Sequence, residues 1–483
     1  MRRFLLCAAG VFASASAFAI ACNEQSSSNA DGGDAAIDAT PDYLTPPPIE
    51  RTQTEAQLAP QRAACAFQSG AWPAQTIGTD FPIGGDIPIN HVIVIMQENR
   101  SFDHYLGRLV AEGYYQPNEI DVPDGGWSLN DSDGGAVYPH PDDEFCYGVD
   151  HSWGTQHNNW DNGKNDNFVV DNDPDGQRVM FYEDDTVIPF YHALANTFTV
   201  GDRYFCSVLS STWPNRYFLM AATSFGIGDN SFDTLDTIDS PSPQIFTLLE
   251  EGGHSWKDYT DGPHMLSFFP TFGWEHDTLS RFSDVKCGLM GDIANGTLPD
   301  VSFVMGDEVT ETSDEGPSDL PGIGGRVVET IIRNLWASPS WKDTAVFIMY
   351  DENGGIADHV PPAAACAPDS YAPHDGNNNP LPGDFKTTGF RVPFIVVSPY
   401  AKAHYVTHTV YDHSSITRFI ETRFGLPALT ARDANATPPL DAFDFENPPF
   451  VTPPNITATT TVLPSTLTQC NQQYAPVACD GGT

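Results

Sequence analysis

Two runs of apolar and β-branched residues dominate the pattern of hydrophobic and polar positions along the chain. One is HVIVIM, which ends at Met96, and the other is TAVFIM, which ends at Met349. Neither run alternates with polar residues, which is typical of strands covered on both faces in a mostly parallel sheet. A third run, VPFIVVSPY, ends at Tyr400 and has the same character. The pattern predicts an α/β fold in which helices sandwich a mostly parallel sheet.

Polar residues follow the first two runs directly. Glu98 and Asn99 come after the first run. Asp351 and Glu352 come after the second, and His359 follows seven residues after Glu352. Because ligands of such sheets gather beyond the carboxyl ends of the strands, we expect these side chains to share one edge. The alternative is that Glu98 and Asp351 only cap the following helices, but the two clusters together favour a site.

The N-terminus has the composition of an export signal. Arg2 and Arg3 precede FLLCAAGVFASASAFAIA, so residues 1–21 are predicted to be a signal peptide. Cys22 follows directly, and we expect lipidation of its thiol, with simple secretion as the alternative. The sequence therefore predicts an exported protein, either a cell-envelope lipoprotein on the periplasmic or outer-membrane side or a secreted protein.

Three further segments follow the signal. Residues 22–64 are predicted to be the lipid-anchor tether and a linker, since they are rich in small polar residues and include YLTPPPIE. Residues 65–448 show no obvious internal linker and are predicted to form the functional domain. Residues 449–483 alternate threonine with apolar residues, which indicates a tail with an edge strand or a small β appendage.

The chain contains nine cysteines, and seven remain once Cys7 of the signal and Cys22 are set aside. Most should be paired in an exported protein. Cys470 and Cys479 would close a small terminal loop. The other five leave one residue unpaired or paired outside the chain, and they are Cys65, Cys146, Cys206, Cys287 and Cys366.

The charge of the chain restricts its partners. There are 64 acidic and 22 basic residues, for a formal net charge of -42. Such a field repels nucleic acid and anionic lipid, so no nucleic-acid partner is expected. It is compatible with a zwitterionic or small substrate that reaches a local metal. Strong acidity is also a general solubility device, and that is the simpler interpretation of the charge.

A hydroxyl at a helix N-terminus is predicted at Thr212. Trp213 and Pro214 follow it, and NRYFLMAAT continues with apolar residues at helical spacing. Proline in the first turn presets the backbone and loses no needed donor. Free amides and the helix dipole favour a negative group there, such as a phosphate oxygen. From this segment alone, an ordinary threonine cap is the simpler interpretation.

Seven motifs occur in an order that resembles one protein family. They are QENRSFDHYLG, DHSWGTQHNNW, DRYFCSVLSSTWPNRYF, LPDVSFV, SPSWKDTAVFIMYDENGGIADHVPP, GFRVPFIVVSPYAK and YDHSSITRFIETRFGL. In this order they resemble the bacterial phosphoesterase family, which contains phosphatidylcholine-type phospholipases C and a related acid phosphatase. The resemblance covers about residues 91–445 and is specific at the level of the family. It implies an alkaline-phosphatase-like fold and makes residues 65–448 a phosphoesterase domain.

The resemblance implies one divalent metal ion. Carried over residue by residue, its ligands are Glu98, Asn99, Asp351 and Glu352. Hard oxygen ligands suit Ca²⁺, Mg²⁺ or Mn²⁺, and a histidine nearby also admits Zn²⁺ or iron. The identity of the metal therefore stays open.

The resemblance also implies a catalytic set. Thr212 would be the nucleophile, and its attack would give a phospho-threonine that water then hydrolyses. His151 and His359 would contact the phosphoryl oxygens or serve the leaving group. His413 matches the family as well, and we assign it with Asn99 to substrate binding.

One motif departs from the family. Where its members read Asp-Glu-His-Pro, residues 314–317 read DEGP, so Gly316 replaces an expected histidine. Loss of such a contact to the transition state typically costs about 10²-fold in rate. Four histidines could replace it, although each is more simply a surface or hydrogen-bonded histidine, and they are His254, His264, His276 and His374.

These observations lead to one preferred function and two alternatives. We expect a metal-dependent phosphoesterase of the phospholipase C type that acts on phospholipids and is held at the membrane by its lipid anchor. An acid phosphatase that hydrolyses small phosphate monoesters is the first alternative. The second is a catalytically impaired, phosphoesterase-like protein that binds a ligand at the cell surface, and Gly316 is its support.

Overall fold

The computed structural model describes residues 44–142, 148–230, 244–260, 282–306, 321–460 and 462. These residues belong to one compact unit, Thr40–Thr483. Several predictions fall outside them, namely those for residues 1–21, Cys22, Cys146, His264, His276, residues 314–317, Cys470 and Cys479. Within the described part of the chain, no helix has both the length and the apolar character needed to cross a membrane.

The described residues contain twelve strands, most of them short. They are β1 (His91–Gln97), β2 (Leu129–Asn130), β3 (Ala136–Val137), β4 (His140–Pro141), β5 (Phe181–Tyr182), β6 (Thr199–Gly201), β7 (Trp256–Thr260), β8 (Phe282–Ser283), β9 (Val301–Met305), β10 (Thr344–Tyr350), β11 (Phe394–Val397) and β12 (Tyr405–Thr407).

Eight of these strands form the central sheet, in the spatial order β12, β6, β11, β10, β1, β9, β7, β8. Every neighbouring pair is parallel except the two pairs made by β11, which runs antiparallel to β10 and β6. The two long apolar runs of the sequence are the adjacent strands β1 and β10, and every residue of β10 is buried. The prediction of a mostly parallel sheet is confirmed.

Twelve α-helices accompany the strands of the described residues. They are α1 (Glu55–Ala63), α2 (Pro73–Thr76), α3 (Phe102–Leu106), α4 (Trp153–Trp160), α5 (Phe168–Asp171), α6 (Pro189–Thr197), α7 (Thr212–Ala221), α8 (Ile245–Glu251), α9 (Met290–Asn295), α10 (Pro321–Ala337), α11 (His413–Phe424) and α12 (Ala431–Asn435). Helices α6 and α8 pack on strands of the sheet, and α7 packs on α11. The fold is therefore α/β with flanking helices, as predicted.

Helix α1 lies inside the range 22–64 that the sequence analysis assigns to tether and linker. Leu58 and Arg62 of this helix are buried, and Arg62 donates to the carbonyl oxygen of Thr76 at 2.5 Å. At the other end, Ile456 is buried in the core, and residues 449–460 contain no strand. Each segment contributes only a few buried side chains. Its sequence therefore lacks the apolar periodicity by which a core element is recognised.

The cysteines of the described residues divide into paired and unpaired. Cys65, just after α1, forms a disulfide with Cys366, which lies 301 residues away in the segment between β10 and β11. Cys287 is disulfide-bonded as well. Cys206 is free and buried. The disulfide expected of an exported chain is therefore present, and Cys206 is the unpaired residue within the described part.

Candidate active site

The carboxyl ends of β1 and β10 bring the two polar clusters to one edge of the sheet. The strands are parallel neighbours, and Gln97 lies opposite Tyr350. Glu98 and Asp351 therefore leave the sheet side by side. The backbone N–H of Asn99 donates to Asp351 Oδ1 at 3.0 Å. All four predicted metal ligands are buried, so the structure places them together in the interior of this edge.

Two residues with left-handed backbone conformation allow the segments after β1 and β10 to come into contact. Asn99 has a φ of 60° and Gly354 a φ of 63°, a region that glycine and asparagine enter more easily than other residues. A Cβ at Gly354 would lie 2.6 Å from the carbonyl oxygen of Asn99. A Cβ at Gly355 would lie 2.8 Å from the carbonyl oxygen of Asp150. The two glycines thus allow two other segments to approach the end of β10.

His151 joins this cluster from the loop before α4. Its Nδ1–H donates to the carbonyl oxygen of Val149 at 2.7 Å, and its Nε2 lies 3.5 Å from Glu352 Oε1. Burial raises the pKa of Glu352 to about 8, with His151 opposing the shift and Asp351 adding to it. Burial works to lower the pKa of His151, but the charge of Glu352, the bond to Val149 and the neighbouring aspartates together raise it. Nε2 is the ring nitrogen that faces the acidic cluster.

The residues at this edge fit a divalent cation. Asn99 Oδ1 and Glu352 Oε1 are buried and have no hydrogen-bond partner among the described residues. A buried polar atom without a partner costs about 1–3 kcal/mol. Carboxylate and amide oxygens beside an imidazole are common ligands of divalent cations. The donor set is therefore suited to the metal that the resemblance implies, although it does not identify the element.

Helix α7 reaches the same edge through Arg216. The guanidinium donates to Glu98 Oε1, and its Nε–H donates to Asp351 Oδ2 at 3.4 Å. Arg216 is fully buried. Thr212 begins the helix and lies four residues before Arg216, so both side chains project from the same face of α7, one turn apart. The sequence analysis did not single out Arg216, although its spacing from Thr212 could have shown it.

The loop before Thr212 is held by Asn215. Its amide nitrogen donates to the carbonyl oxygens of Val208, Ser210 and Ser211 at 3.2, 3.1 and 3.1 Å. Its oxygen accepts from the backbone N–H of Val208 at 2.9 Å. One buried side chain thus fixes the turn that leads into the helix. Asn215 was also absent from the predicted site.

Gln156 of α4 is a third residue that the sequence analysis missed. Its amide nitrogen donates to Asn353 Oδ1 at 2.6 Å and to Glu352 Oε2 at 3.3 Å. Glu352 Oε2 also accepts from the backbone N–H of Gly354 at 2.6 Å. The side chain of Glu352 is thereby fixed by one oxygen, while the other faces His151.

His413 lies behind the strand end, at the start of α11. It is fully buried, and its Nε2–H donates to the carbonyl oxygen of Asp351 at 2.7 Å. Its Nδ1 lies 3.0 Å from the hydroxyl of Tyr204. Burial lowers the pKa of His413, which favours the neutral ring. Its assignment to substrate binding stays a prediction, and the contact that the structure records is to the backbone of Asp351.

His359 lies in a separate ionic network. Its Nδ1–H donates to Asp103 Oδ2 at 2.7 Å, and its Nε2–H donates to Asp121 Oδ1 at 3.0 Å. Burial works to lower the pKa of His359, but Asp103 and Asp121 outweigh it and raise the pKa to about 10. Both nitrogens carry protons that are engaged by carboxylates. The structure does not bring His359 into contact with the predicted metal ligands, and its role with the leaving group stays a prediction.

Two groups of three titratable side chains in the described residues have ligand atoms within 4.8 Å of one another. They are Asp103, Asp358 and His359, and His104, Asp142 and Glu183. The first group is already neutralised by the protein, because Arg391 donates at 2.8 Å to both of its aspartates. Neither group is the predicted ligand set.

The two described candidates for replacing the missing histidine each lie beside a backbone carbonyl oxygen. His254 Nε2 lies 3.2 Å from the carbonyl oxygen of Phe424. His374 Nδ1 lies 3.0 Å from the carbonyl oxygen of Asp375. The effect of Gly316 stays a prediction, because residues 307–320 are outside the described part of the chain.

With this geometry in place, a comparison with known families decides the relationship. The phosphoesterase family matches residues 89–427. The chain belongs to the phosphoesterase family. The predicted family is thereby confirmed, and with it the expectation of a hydrolase that acts on phosphate esters. The match includes every residue of the predicted site, from Glu98 to His413.

Curated relatives of this phosphoesterase carry phospholipase names. A Mycobacterium tuberculosis protein named phospholipase C B is 30% identical over 473 residues, covering 84% of this chain and 88% of its own. A non-hemolytic phospholipase C of Burkholderia pseudomallei is 30% identical, covering 74% of this chain. The chain spans 59% of the length of that relative. Non-specific phospholipase C1 of Arabidopsis thaliana is 31% identical, covering 72% of this chain and 69% of its own.

Solved structures similar to this phosphoesterase include a protein of the alkaline phosphatase superfamily from Vibrio parahaemolyticus. It covers 73% of this chain and 71% of its own, with a TM-score of 0.36 and 11% identity. The lipoteichoic acid synthase LtaP from Listeria monocytogenes has a TM-score of 0.38 and 10% identity, covering 74% of this chain and 78% of its own. At TM-scores below 0.5, these similarities carry no argument about function.

Proposed function

We propose that this chain is a phospholipase C that hydrolyses the phosphate ester of a phospholipid with Thr212 as its nucleophile. The observation that carries the proposal is the position of helix α7 against the carboxyl ends of β1 and β10. Arg216 of this helix binds Glu98 and Asp351 at the strand ends, and Thr212 projects from the same face one turn earlier. The phospholipase C names of relatives at 30% identity support the substrate class.

The position of Thr212 suits attack on phosphorus. It is the first residue of a helix that is buried throughout, where the helix dipole stabilises negative charge. The hydroxyl loses its proton as its oxygen bonds to phosphorus, and the bond from phosphorus to the glycerol oxygen breaks as that oxygen takes up a proton. Diacylglycerol leaves, and the phosphorylated head group stays esterified to the threonine. Water then attacks the same phosphorus and releases the phosphorylated head group together with the free hydroxyl.

His151 is the group in this cluster that is placed to move a proton. Its Nδ1–H is committed to the carbonyl oxygen of Val149, so Nε2 is left to exchange a proton on the side of the acidic cluster. General acid and base catalysis by such a nitrogen typically contributes about 10²–10⁴-fold. Asn99, which is anchored to Asp351 by its backbone N–H, can offer its amide side chain toward the phosphoryl group.

The metal would be held by Glu98, Asn99, Asp351 and Glu352, on the argument that Asn99 and Glu352 each present an unpartnered buried oxygen. A divalent cation bound there would neutralise phosphoryl charge and lower the pKa of a nearby hydroxyl. Arg216 would share the same carboxylates, and its positive charge would hold them in place.

Hydrolysis of two chromogenic esters by the purified chain tests the proposal. We expect release from p-nitrophenyl phosphorylcholine to exceed release from p-nitrophenyl phosphate and to stop with chelator. Thr212→Ala should lower kcat by more than about 10³-fold, because the covalent step is lost, while Thr212→Ser retains part of it. Thr54→Ala, at the N-terminus of the distant helix α1, is the matched control and should be active.

Each other outcome has a definite meaning. A preference for the monoester would replace the phospholipase assignment by a phosphatase. Full activity of Thr212→Ala on the diester would remove Thr212 as the nucleophile. No release from either ester with any of Ca²⁺, Mg²⁺, Mn²⁺, Zn²⁺ or Fe²⁺ would favour the ligand-binding alternative. In that event, activity gained by Gly316→His would identify the missing histidine as the cause.

A further inference from the structure

A second cluster of ligand-type side chains lies outside the site proposed for catalysis. His104 belongs to α3, which follows β1 and the turn at Asn99. Asp142 comes directly after β4, and Glu183 comes directly after β5. None of the three takes part in the reaction proposed above. Their convergence therefore calls for an explanation of its own.

Backbone pairing brings the two acidic residues side by side. Strands β4 and β5 are parallel, with Pro141 opposite Tyr182, so the next residues of the two strands are neighbours. The N–H of Asp142 donates to the carbonyl oxygen of Tyr182 at 3.0 Å. The N–H of Glu183 donates to the carbonyl oxygen of His104 at 2.8 Å. Main-chain bonds thus hold three elements around one point.

The side chains meet at distances that a shared ligand would bridge. His104 Nε2 lies 3.9 Å from Asp142 Oδ2 and 3.8 Å from Glu183 Oε1. The three side chains have no exposed surface. Neither ring nitrogen of His104 and neither carboxyl oxygen of Glu183 has a hydrogen-bond partner among the described residues. Of these unpartnered atoms, His104 Nε2 and Glu183 Oε1 face each other across the 3.8 Å gap.

Burial perturbs the titration of two groups in the cluster. Two acidic side chains face one histidine whose pKa is lowered well below its usual value, first by burial and then by the charge of Arg100. Burial and then the charge of Asp142 raise the pKa of Glu183 well above its usual value, and Arg100 opposes this shift. Isolated buried charge costs several kcal/mol.

We propose that His104, Asp142 and Glu183 bind a second divalent cation of the transition-metal type, such as Zn²⁺, Mn²⁺ or Fe²⁺. One imidazole nitrogen with two carboxylate oxygens is a ligand set of these metals, and Ca²⁺ and Mg²⁺ favour all-oxygen sites. Ligand atoms about 2.1 Å from a tetrahedral metal are about 3.4 Å apart. The observed separations reach that value with shifts of about half an ångström.

A cation here would have a structural role for the neighbouring site. It would join helix α3 and strands β4 and β5, which are all short elements. Helix α3 starts three residues after Asn99, so clamping His104 would stiffen the turn that carries the proposed catalytic ligands. The site would hold its metal whether or not the chain is a phospholipase.

Metal content of the purified full-length chain tests this inference. After dialysis against Zn²⁺ and removal of free metal, we expect mass spectrometry to find two equivalents in the wild type and one in Glu183→Gln or His104→Gln. Asp351→Asn should also lose one equivalent, and the double variant Asp351→Asn with Glu183→Gln should hold none. Each variant is first shown to be folded by circular dichroism.

Glu112→Gln is the matched control. Glu112 accepts from His192 at 2.6 Å, and the other nitrogen of His192 bonds to the carbonyl oxygen of Tyr105, so this histidine–carboxylate pair is satisfied. Its substitution should leave two equivalents bound. Co²⁺ in place of Zn²⁺ gives a second readout, since His104→Gln should remove the absorption that a nitrogen-ligated site produces.

The two proposals fail separately in this experiment. If Glu183→Gln binds as much metal as the wild type, protons rather than a cation balance the cluster and the inference is overturned. If Asp351→Asn binds as much metal as the wild type while the His104 and Glu183 variants lose theirs, the proposed catalytic site holds no cation and the second site stands. Should the His104 and Glu183 variants not fold, Asp351→Asn alone decides: one remaining equivalent supports the inference, and none overturns it.

Discussion

Gly354 occupies a place that a side chain cannot share with Asn99. The carbonyl oxygen of Asn99 would be 2.6 Å and its Cβ 2.8 Å from a Cβ at this position, and both atoms belong to a turn whose own φ is positive. Since backbone rather than a flexible side chain forms the wall, relief requires movement of the turn. The lack of a side chain at residue 354 therefore allows the turn at Asn99 to lie against the segment that follows β10.

We expect Gly354→Ala to lower the catalytic rate by about 10²-fold, because a displacement near 1 Å in a catalytic turn has that effect. Gly425→Ala is the control. Gly425 has a similar φ of 68° but nothing within 4 Å of the added Cβ, so it should only lose about 1–2 kcal/mol of stability. Rates of ester hydrolysis and urea unfolding of both variants check this. Equal activity of the two would mean that the turn at Asn99 does not position reacting groups.

Single residues show where sequence reasoning succeeded and where it stopped. Glu98 and Asp351 were placed at one sheet edge because each follows an apolar run, and the adjacent strands do bring them together. The carboxylates that surround His359 could not be found this way. Asp103 and Asp121 come from other segments, and only the folded chain shows that they take up both ring nitrogens.

Helix α7 carries the proposed nucleophile and its own scaffold. Asn215 bonds to three carbonyl oxygens of the preceding loop, and all ten residues of the helix are buried. A helix start is normally satisfied by a capping side chain or by water. Here an asparagine within the first turn reaches back and fixes the approach to Thr212. The helix and the loop therefore form one rigid element.

We expect Asn215→Asp to lower kcat by about 10–100-fold with little change in KM, because the loop oxygens lose their donor and Thr212 shifts. Asn172→Asp is the control, since the side-chain amide of Asn172 donates to the carbonyl oxygen of Phe168 in α5. Steady-state kinetics on p-nitrophenyl phosphorylcholine separates the two parameters. A change confined to KM would mean that Asn215 affects substrate binding rather than the placement of Thr212.

Elements differed in how far their sequence revealed them. The long apolar runs gave β1, β10 and β11, but the reversed direction of β11 is a property of the connection and not of its residues. The proline after Thr212 and the apolar spacing beyond it marked α7. Strands β4 and β5 have two residues each, too few for any periodicity, so the cluster that follows them was missed.

A disulfide ties the N-terminal helix to the far side of the sequence. Cys65 follows α1, and Cys366 lies beyond the loop that carries Asp351 and His359. The two cysteines are 301 residues apart in sequence, and the loop that their bond closes includes most of the described core. Such a closure restricts the unfolded chain more than the folded one. It also agrees with the oxidising compartment that the predicted export signal implies.

We expect the double variant Cys65→Ser with Cys366→Ser to lose about 5–6 kcal/mol of unfolding free energy, the value that chain entropy gives for a loop of this length. The control is Cys206→Ala, which alters a free buried thiol and leaves the cross-link intact. Urea unfolding followed by tryptophan fluorescence measures both. An unchanged midpoint in the double variant would show that the unfolded chain is already compact enough to offset the lost closure.

The seating of α7 has a consequence for how this chain can change. Thr212 and Arg216 face the sheet edge only while four residues separate them and the helix keeps its rotation about its axis. Inserting or deleting one residue ahead of Arg216 turns the following part of the helix by about 100°, which takes the guanidinium away from Glu98 and Asp351. The stretch from 212 to 216 therefore tolerates no change of length, and insertions between related chains should fall outside it.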